Sequence, residues 1–248
     1  MERRAALGQM SWPELSEAPE SSEATVTLLV PLGATEQHGP HLPLDTDTRI
    51  AQAVAERVAA LDHRSANGPA TRVLTAPALN YGASGEHEGF PGTISLGHDA
   101  LELLLLEFGR SACRWADRLL FVNGHGGNAG TLATAVRRLR YEGRDAAWFP
   151  CAFPAADAHA GHTETSVLLH FSPSAVTVSA AQAGNTAPVE ALLPAMRTGG
   201  VAAVSANGVL GDPTGASGDH GAQLLDALVA SLGVALGDWR VGESGRLG

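Results

Sequence analysis

The 248-residue chain contains no lysine; all sixteen of its basic residues are arginine. A Schiff base to a carbonyl substrate or to pyridoxal phosphate needs a side-chain amine, and a phosphate-binding GxxxxGK loop needs its lysine, so both mechanisms are closed to it. Cysteine is nearly absent. Cys113 and Cys151 have neither CxxC spacing nor the density of a disulfide scaffold, so two buried free thiols in a reducing cytosol are expected. Neither sits in a nucleophile setting, and no G-x-S-x-G elbow offers a serine instead. Long apolar runs are missing as well: the longest leucine run is Leu103 to Leu106, far short of a membrane helix. Met1 to Ala24 holds Ser, Glu and Pro where a signal peptide needs an apolar stretch, so it is expected to be a flexible arm of a soluble, cytoplasmic protein. Positive charge is scarce. Twenty-six acidic residues against sixteen arginines give a net charge of −10, with no footprint for nucleic acid or an anionic membrane. A small amide or a peptide is the expected partner.

What is present fits one compact domain, at 44% hydrophobic residues. A single catalytic domain is expected over 25–240, with a C-terminal tail over 241–248. The run TVTLLVPL from Thr25 to Leu32 reads as a buried strand, and Ile50, Val54, Val58 and Leu61 mark an amphipathic helix starting near Asp47. The alternation repeats: a helix over Asp99 to Trp115, the strand RLLFV over Arg118 to Val122, a helix carrying Leu132, Val136 and Leu139, and a strand over Asp145 to Phe149. A helix ending near His170, a strand near Val176 to Ser179 and a last helix over Gly221 to Leu236 follow. This order predicts an α/β fold with a mainly parallel sheet, whose ligands sit at the carboxyl ends of the strands. Asn80 to Gly97, with five glycines, reads as a functional loop, and Glu86 and His87 within it are candidate substrate contacts.

Chemistry concentrates in three clusters, each placed after a strand. Glu36, His38, His41, Asp45 and Asp47 fall within twelve residues of a proline-stiffened loop, and such oxygen and nitrogen donors suit Zn, Fe or Mn. Asp47 also fits a helix cap, His41 a structural role and Asp45 a solvated loop carboxylate. The second cluster, Asn123-Gly-His125-Gly-Gly-Asn128, also satisfies a loose dinucleotide pattern through Gly124, Gly126 and Ala129, with Glu142 and Asp145 at about the distance of a ribose-binding acid. A NAD-binding oxidoreductase is therefore the rival reading. It leaves the first cluster without a task. The third cluster holds Asp157, His159, His162 and Glu164, with Glu164 in the first turn of a helix. His63, His98, His170 and His220 read as surface or structural. In a parallel sheet the three clusters meet on one rim, which favours a water activated by a metal, with a His or Glu moving the proton to the leaving nitrogen.

The motifs PLGATEQHGPHLPLDTD, YGASGEHEGFPGTISL, NGHGGN, HAGHTETS and GVLGDPTGAS, in order from Pro31 to Ser217, resemble those of the creatininase (creatinine amidohydrolase) family. The resemblance implies a three-layer α/β/α sandwich, a homo-oligomer such as a hexamer, and one or two divalent metals per subunit hydrolysing a C–N bond. It assigns Glu36, His38, Asp47 and His125 as metal ligands, with Asp47 as the bridge if two metals bind. Glu164 matches the acidic residue of the third motif, as a ligand or a catalytic group, and His159 the histidine acting on substrate. Two departures stand out. Gly127 occupies the place of a family glutamate, and Phe153 and Ala155 stand where a tryptophan would cover a small flat ring. Other stretches, among them EGRDAAWFPC and AGNTAPVEALLPAMRTGGVAAVS, resemble the peptidase members of the family. This implies a peptide amide as substrate ahead of creatinine or a formamidopyrimidine. A non-catalytic member that only binds metal or ligand is the remaining alternative.

Overall fold

A computed structural model describes residues 5–16, 25–61 and 71–248. Four strands, β1 (Thr25–Leu32), β2 (Thr71–Thr75), β3 (Arg118–Asn123) and β4 (Ala146–Pro150), form one parallel sheet in the order β2-β1-β3-β4. The helices among the described residues are α1 (Trp12–Ser16), α2 (Thr46–Ala59), α3 (Gly97–Ala112), α4 (Ala129–Tyr141), α5 (His162–Phe171), α6 (Val189–Gly199) and α7 (Gly218–Asp238).

Strands covered on both faces cannot alternate polar with apolar, which is why β1 and β3 read as unbroken apolar runs. Successive side chains still go to opposite sides. Leu28, Val30, Leu119 and Phe121 pack with Leu101 and Leu105 of α3 and Leu132, Val136 and Leu139 of α4. Leu29, Leu120 and Val122 pack with Val54 and Val58 of α2 and Leu225, Leu228 and Leu232 of α7. The result is the α/β/α sandwich with a parallel sheet that the alternation of elements predicts. By length and composition α7 is apolar enough to cross a membrane. Here its Leu225, Leu228 and Leu232 are core residues of the sandwich.

The differences from the sequence reading have physical causes. No strand forms near Val176 to Ser179; 3-10 turns at Pro173–Ala175 and Val178–Ala180 stand there instead. Thr177 N–H there donates to His41 O at 2.8 Å, and Trp148 of β4 pairs instead with the C-terminal residues: Trp148 N–H donates to Gly245 O at 3.0 Å and Leu247 N–H to Trp148 O at 2.9 Å. Residues 241–248, read as a tail, thereby cap the sheet, with Leu247 buried. Within the arm, Leu7, Met10 and Leu15 pack against the core beside α3, and Thr75 N–H donates to Ala5 O at 2.8 Å. The remainder of the arm, and His63, lie outside the described residues. Three elements escape the sequence reading, the first being α1, which lies in the segment read as a flexible arm. β2 is only five residues long, and α6 contains Pro194, which masks its periodicity. Leu61 falls beyond the end of α2 and is exposed.

Candidate metal centre

Every candidate residue stands on a loop that leaves the carboxyl end of a strand or in the first turn of the helix that follows it. Glu36 and His38 follow β1, Asp47 lies in the first turn of α2, and His125 is two residues beyond β3. After β4, His159 precedes α5 and Glu164 lies in its first turn. Glu86 and His87 sit in the 3-10 turn Gly85–His87 of the glycine-rich loop between β2 and α3. Glycine permits the convergence: a Cβ on Gly124 would overlap the Asp47 main chain, and one on Gly33 would overlap Thr48. The first turn of α2 therefore lies directly against the ends of β1 and β3. The glycine at 124 thus serves the close approach of α2 to the end of β3, a use that calls on no dinucleotide.

Three histidines share one construction. His38 Nδ1 is 3.1 Å from the Glu36 carbonyl oxygen, His125 Nε2 is 3.1 Å from the Ala83 carbonyl oxygen, and His159 Nε2 is 2.8 Å from the Gln37 carbonyl oxygen. A carbonyl only accepts, so each of these nitrogens carries the hydrogen and the other ring nitrogen is left to bind a cation. Those other nitrogens face carboxylates. His38 Nε2 is 3.1 Å from Asp47 Oδ1 and 4.0 Å from Glu164 Oε2. His125 Nδ1 is 3.2 Å from Glu36 Oε2 and 3.3 Å from Asp47 Oδ2, and His159 Nδ1 is 3.8 Å from Glu36 Oε1. Both carboxylate oxygens of Glu36 and Oδ2 of Asp47 are buried without a hydrogen-bond partner. Buried unpartnered carboxylate oxygens facing imidazole nitrogens fit divalent cations. Glu36–His38–His159, Glu36–Asp47–His125 and His38–Asp47–Glu164 each hold their donor atoms within 4.8 Å of one another.

The charges respond accordingly. Burial, then the neighbouring Asp47, pushes the Glu36 carboxyl up to about 7. Burial opposes a charged His38, but Asp47, Glu164 and Glu36 together push it up to about 10. His125 is likewise driven well above 6.5, against its burial, by Glu36, Asp47 and Glu86. Asp47, despite burial, is held well below the usual carboxylate range by His38 and His125. His159 falls well below 6.5 through burial and its neighbours His38 and His87, and His87 falls to about 4 through burial first. Burial raises Glu164, whose Oε2 accepts from Ala160 N–H at 2.6 Å. Protons on His38 and His125 thus balance the carboxylates where cations fit.

Around the cluster, several residues support without joining it. Asp157 caps α5, accepting from His162 N–H and, at 3.1 Å, from Thr163 N–H. His41 hydrogen-bonds Thr165 at 2.9 Å, and Asp45 pairs with Arg49 at 2.6 Å; neither reaches the carboxylates. His98 bonds Thr131, and His220 bonds His162, away from the cluster. Asn128 is a support the sequence reading did not single out: it accepts from Ala83 N–H at 2.9 Å and donates to Gly33 O at 3.1 Å. It thereby holds the loop whose Ala83 carbonyl accepts from His125 against the end of β1. At Gly127 a Cβ would overlap His125 Nε2 and lie 2.8 Å from Glu86 Oε1. Glu86 stands on the far side of His125, 3.5 Å from Nε2, and His87 Nε2 faces Glu36 Oε1 at 3.4 Å. Both free cysteines are half-buried, and burial raises their thiols. A cleft of about 480 Å³ opens over the cluster, its apolar wall made by Ile50, Phe153, Val189, Leu193, Met196 and Leu210.

A parallel α/β/α sandwich with buried carboxylates and imidazole nitrogens facing one another on its carboxyl rim is the architecture of a metal-dependent hydrolase. Comparison with known proteins narrows the class. The family profile described as creatinine amidohydrolase matches residues 8–236, and the chain belongs to this creatininase family of metal-dependent amidohydrolases. It is 58% identical over 221 residues to the mycofactocin precursor peptide peptidase of Mycolicibacterium smegmatis, covering 89% of this chain and 88% of that one. The mycofactocin precursor peptide peptidase of Mycobacterium tuberculosis is 54% identical over 246 residues, 99% of this chain and 97% of its own. Among solved structures, a mutant creatininase superposes with a TM-score of 0.76 at 27% identity, covering 94% of this chain and 98% of that one. A crystal structure of creatinine amidohydrolase gives 0.73 at 25% identity, covering 95% and 98%.

Proposed function

We propose that this chain hydrolyses an amide near the C-terminus of a modified mycofactocin precursor peptide and releases the Val-Tyr-derived core. Glu36, His38, Asp47, His125 and Glu164 would hold one or two cations, Zn, Fe or Mn, and Asp47, which faces both His38 and His125, would be shared if two bind. The observation that carries the catalytic reading is the set of imidazoles tied by one nitrogen to backbone carbonyls and facing unpartnered carboxylates with the other. When bound, the metal supplies a Lewis acid for the amide carbonyl and a water acidic enough to react near neutral pH.

The side chains account for the rest. His159 lines the cleft and, kept neutral by burial, accepts a proton at Nδ1 and returns it to the leaving nitrogen. Glu164 is aimed by the Ala160 N–H. The apolar wall meets aliphatic and aromatic groups of a peptide, and Glu86 at the cleft edge contacts its backbone. The names of the relatives at 58% and 54% identity support the peptide. We place the enzyme in the cytoplasm as a homo-oligomer.

Mass spectrometry decides between substrates. The metal-loaded protein is incubated with the modified precursor, the unmodified peptide and creatinine. Cleavage of the modified precursor, abolished by chelation and restored by metal, is expected; turnover of creatinine alone overturns the peptide reading.

A further inference from the structure

Gln37, between the ligands Glu36 and His38, is buried, and backbone groups of known polarity settle which end of its amide is which. Its Oε1 accepts from Gly39 N–H at 2.9 Å, and its Nε2 donates to Gly208 O at 3.0 Å. One hydrogen on Nε2 remains, with two ring nitrogens in range: His87 Nδ1 at 2.9 Å and His159 Nε2 at 3.1 Å. His159 Nε2 lies 2.8 Å from the Gln37 carbonyl oxygen and must itself donate there. It has no lone pair to offer the amide. The remaining hydrogen therefore goes to His87 Nδ1. That nitrogen is then an acceptor, and the hydrogen of the neutral His87 ring sits on Nε2, the atom 3.4 Å from Glu36 Oε1.

We infer that Gln37 is a positioning residue which, through its side-chain amide and its own carbonyl, sets the tautomers of two histidines at once. His87 presents its Nε2 hydrogen on the side of Glu36, whose Oε1 lies 3.4 Å away outside hydrogen-bond geometry. His159 keeps Nδ1 bare on the side of Glu36, where it serves the site. This gives His87 a task other than substrate contact: it sets an N–H, and not a lone pair, against the side of a ligand carboxylate, and which of the two it presents depends on the residue next to that ligand in the chain. The surroundings hold Gln37 in this pose, because a Cβ on Gly208 would overlap its Oε1 and the space exists only while residue 208 is glycine.

Neutron diffraction from the deuterated, zinc-soaked protein reads the hydrogens directly. Deuterium is expected on Nε2 of both His87 and His159, with none on Nδ1 of either ring. Deuterium on His87 Nδ1 overturns the inference. The result is legible whether or not zinc is found, so an empty site would count against the metal reading and leave this one standing. A second arm rests on the metal reading: Gln37→Glu keeps the size but cannot donate to His87. Zinc affinity, measured by chelator competition, is expected to fall about 10- to 100-fold, the usual effect of losing a group that orients a ligand. Unchanged affinity in a folded Q37E protein overturns the inference.

Discussion

Asp47 stands between two imidazoles, Oδ1 towards His38 and Oδ2 towards His125, and shows best what one residue does here. In Asp47→Asn the shape survives while the charge that balances both rings is lost. Breaking a buried charge pair from one side costs about 3–5 kcal/mol, on the order of 10² to 10⁴ in an equilibrium constant. Metal content by mass spectrometry and amidase activity are both expected to drop by at least about 100-fold, with the circular dichroism spectrum retained. Wild-type metal loading in the variant would remove Asp47 from the site. The donor types were legible from spacing alone, since Glu36, His38 and Asp47 crowd one loop. Gln37 was not: an amide in a run of ligands gives no signal of its own, and its partners His87, His159 and Gly208 are 50, 122 and 171 residues away.

At the level of elements, α5 depends on a cap supplied from outside the helix. Its N-cap residue is Gly161, which has no side chain to accept a hydrogen bond; Asp157 supplies the acceptor for His162 and Thr163. Asp157→Ala removes it, at a cost of about 1 kcal/mol. Because Glu164 is in that same first turn and is held by Ala160 N–H, the loss reaches the site. The expected outcome is a lower melting temperature together with a reduced kcat. A variant that melts earlier with an unchanged kcat would separate the cap from the site. Helices α2, α4 and α7 were readable because a 3.6-residue apolar stripe is a local property of the chain. The strand near Val176 was misread because nothing local records that this segment turns onto the distant His41 loop, where Thr177 N–H donates to His41 O at 2.8 Å.

For the whole molecule, the metal-free cluster makes stability depend on pH. His38, at about 10, and His125, well above 6.5, hold protons in the folded chain that the unfolded chain has released above 6.5. Their stabilisation is full below 6.5 and is lost as pH rises through the folded values, so the window opens at 6.5 and reaches about 10. Glu36, at about 7, acts in the same direction from 4.5 to 7, whereas His87, at about 4, opposes it below 6.5. The chelated protein is therefore expected to melt at a lower temperature at pH 9 than at pH 7. Metal-loaded protein, in which cations take the place of those protons, should melt higher at both pH values and show a flatter trend. Identical slopes with and without chelator would mean that His38 and His125 are not the groups being titrated.

The absence of an amine nucleophile, the apolar strand runs and the set of donors are all written in the chain, because side-chain chemistry and hydrophobic period belong to the residues and their near neighbours. Which nitrogen of each ring is bare depends instead on the folded arrangement. The carbonyl that takes the hydrogen of His125 belongs to Ala83, 42 residues away, and the one that takes that of His159 belongs to Gln37, 122 residues away. A ring's tautomer follows from the hydrogen bond its other nitrogen makes, and for these two that bond exists only once the parallel sheet has brought distant loops to one rim.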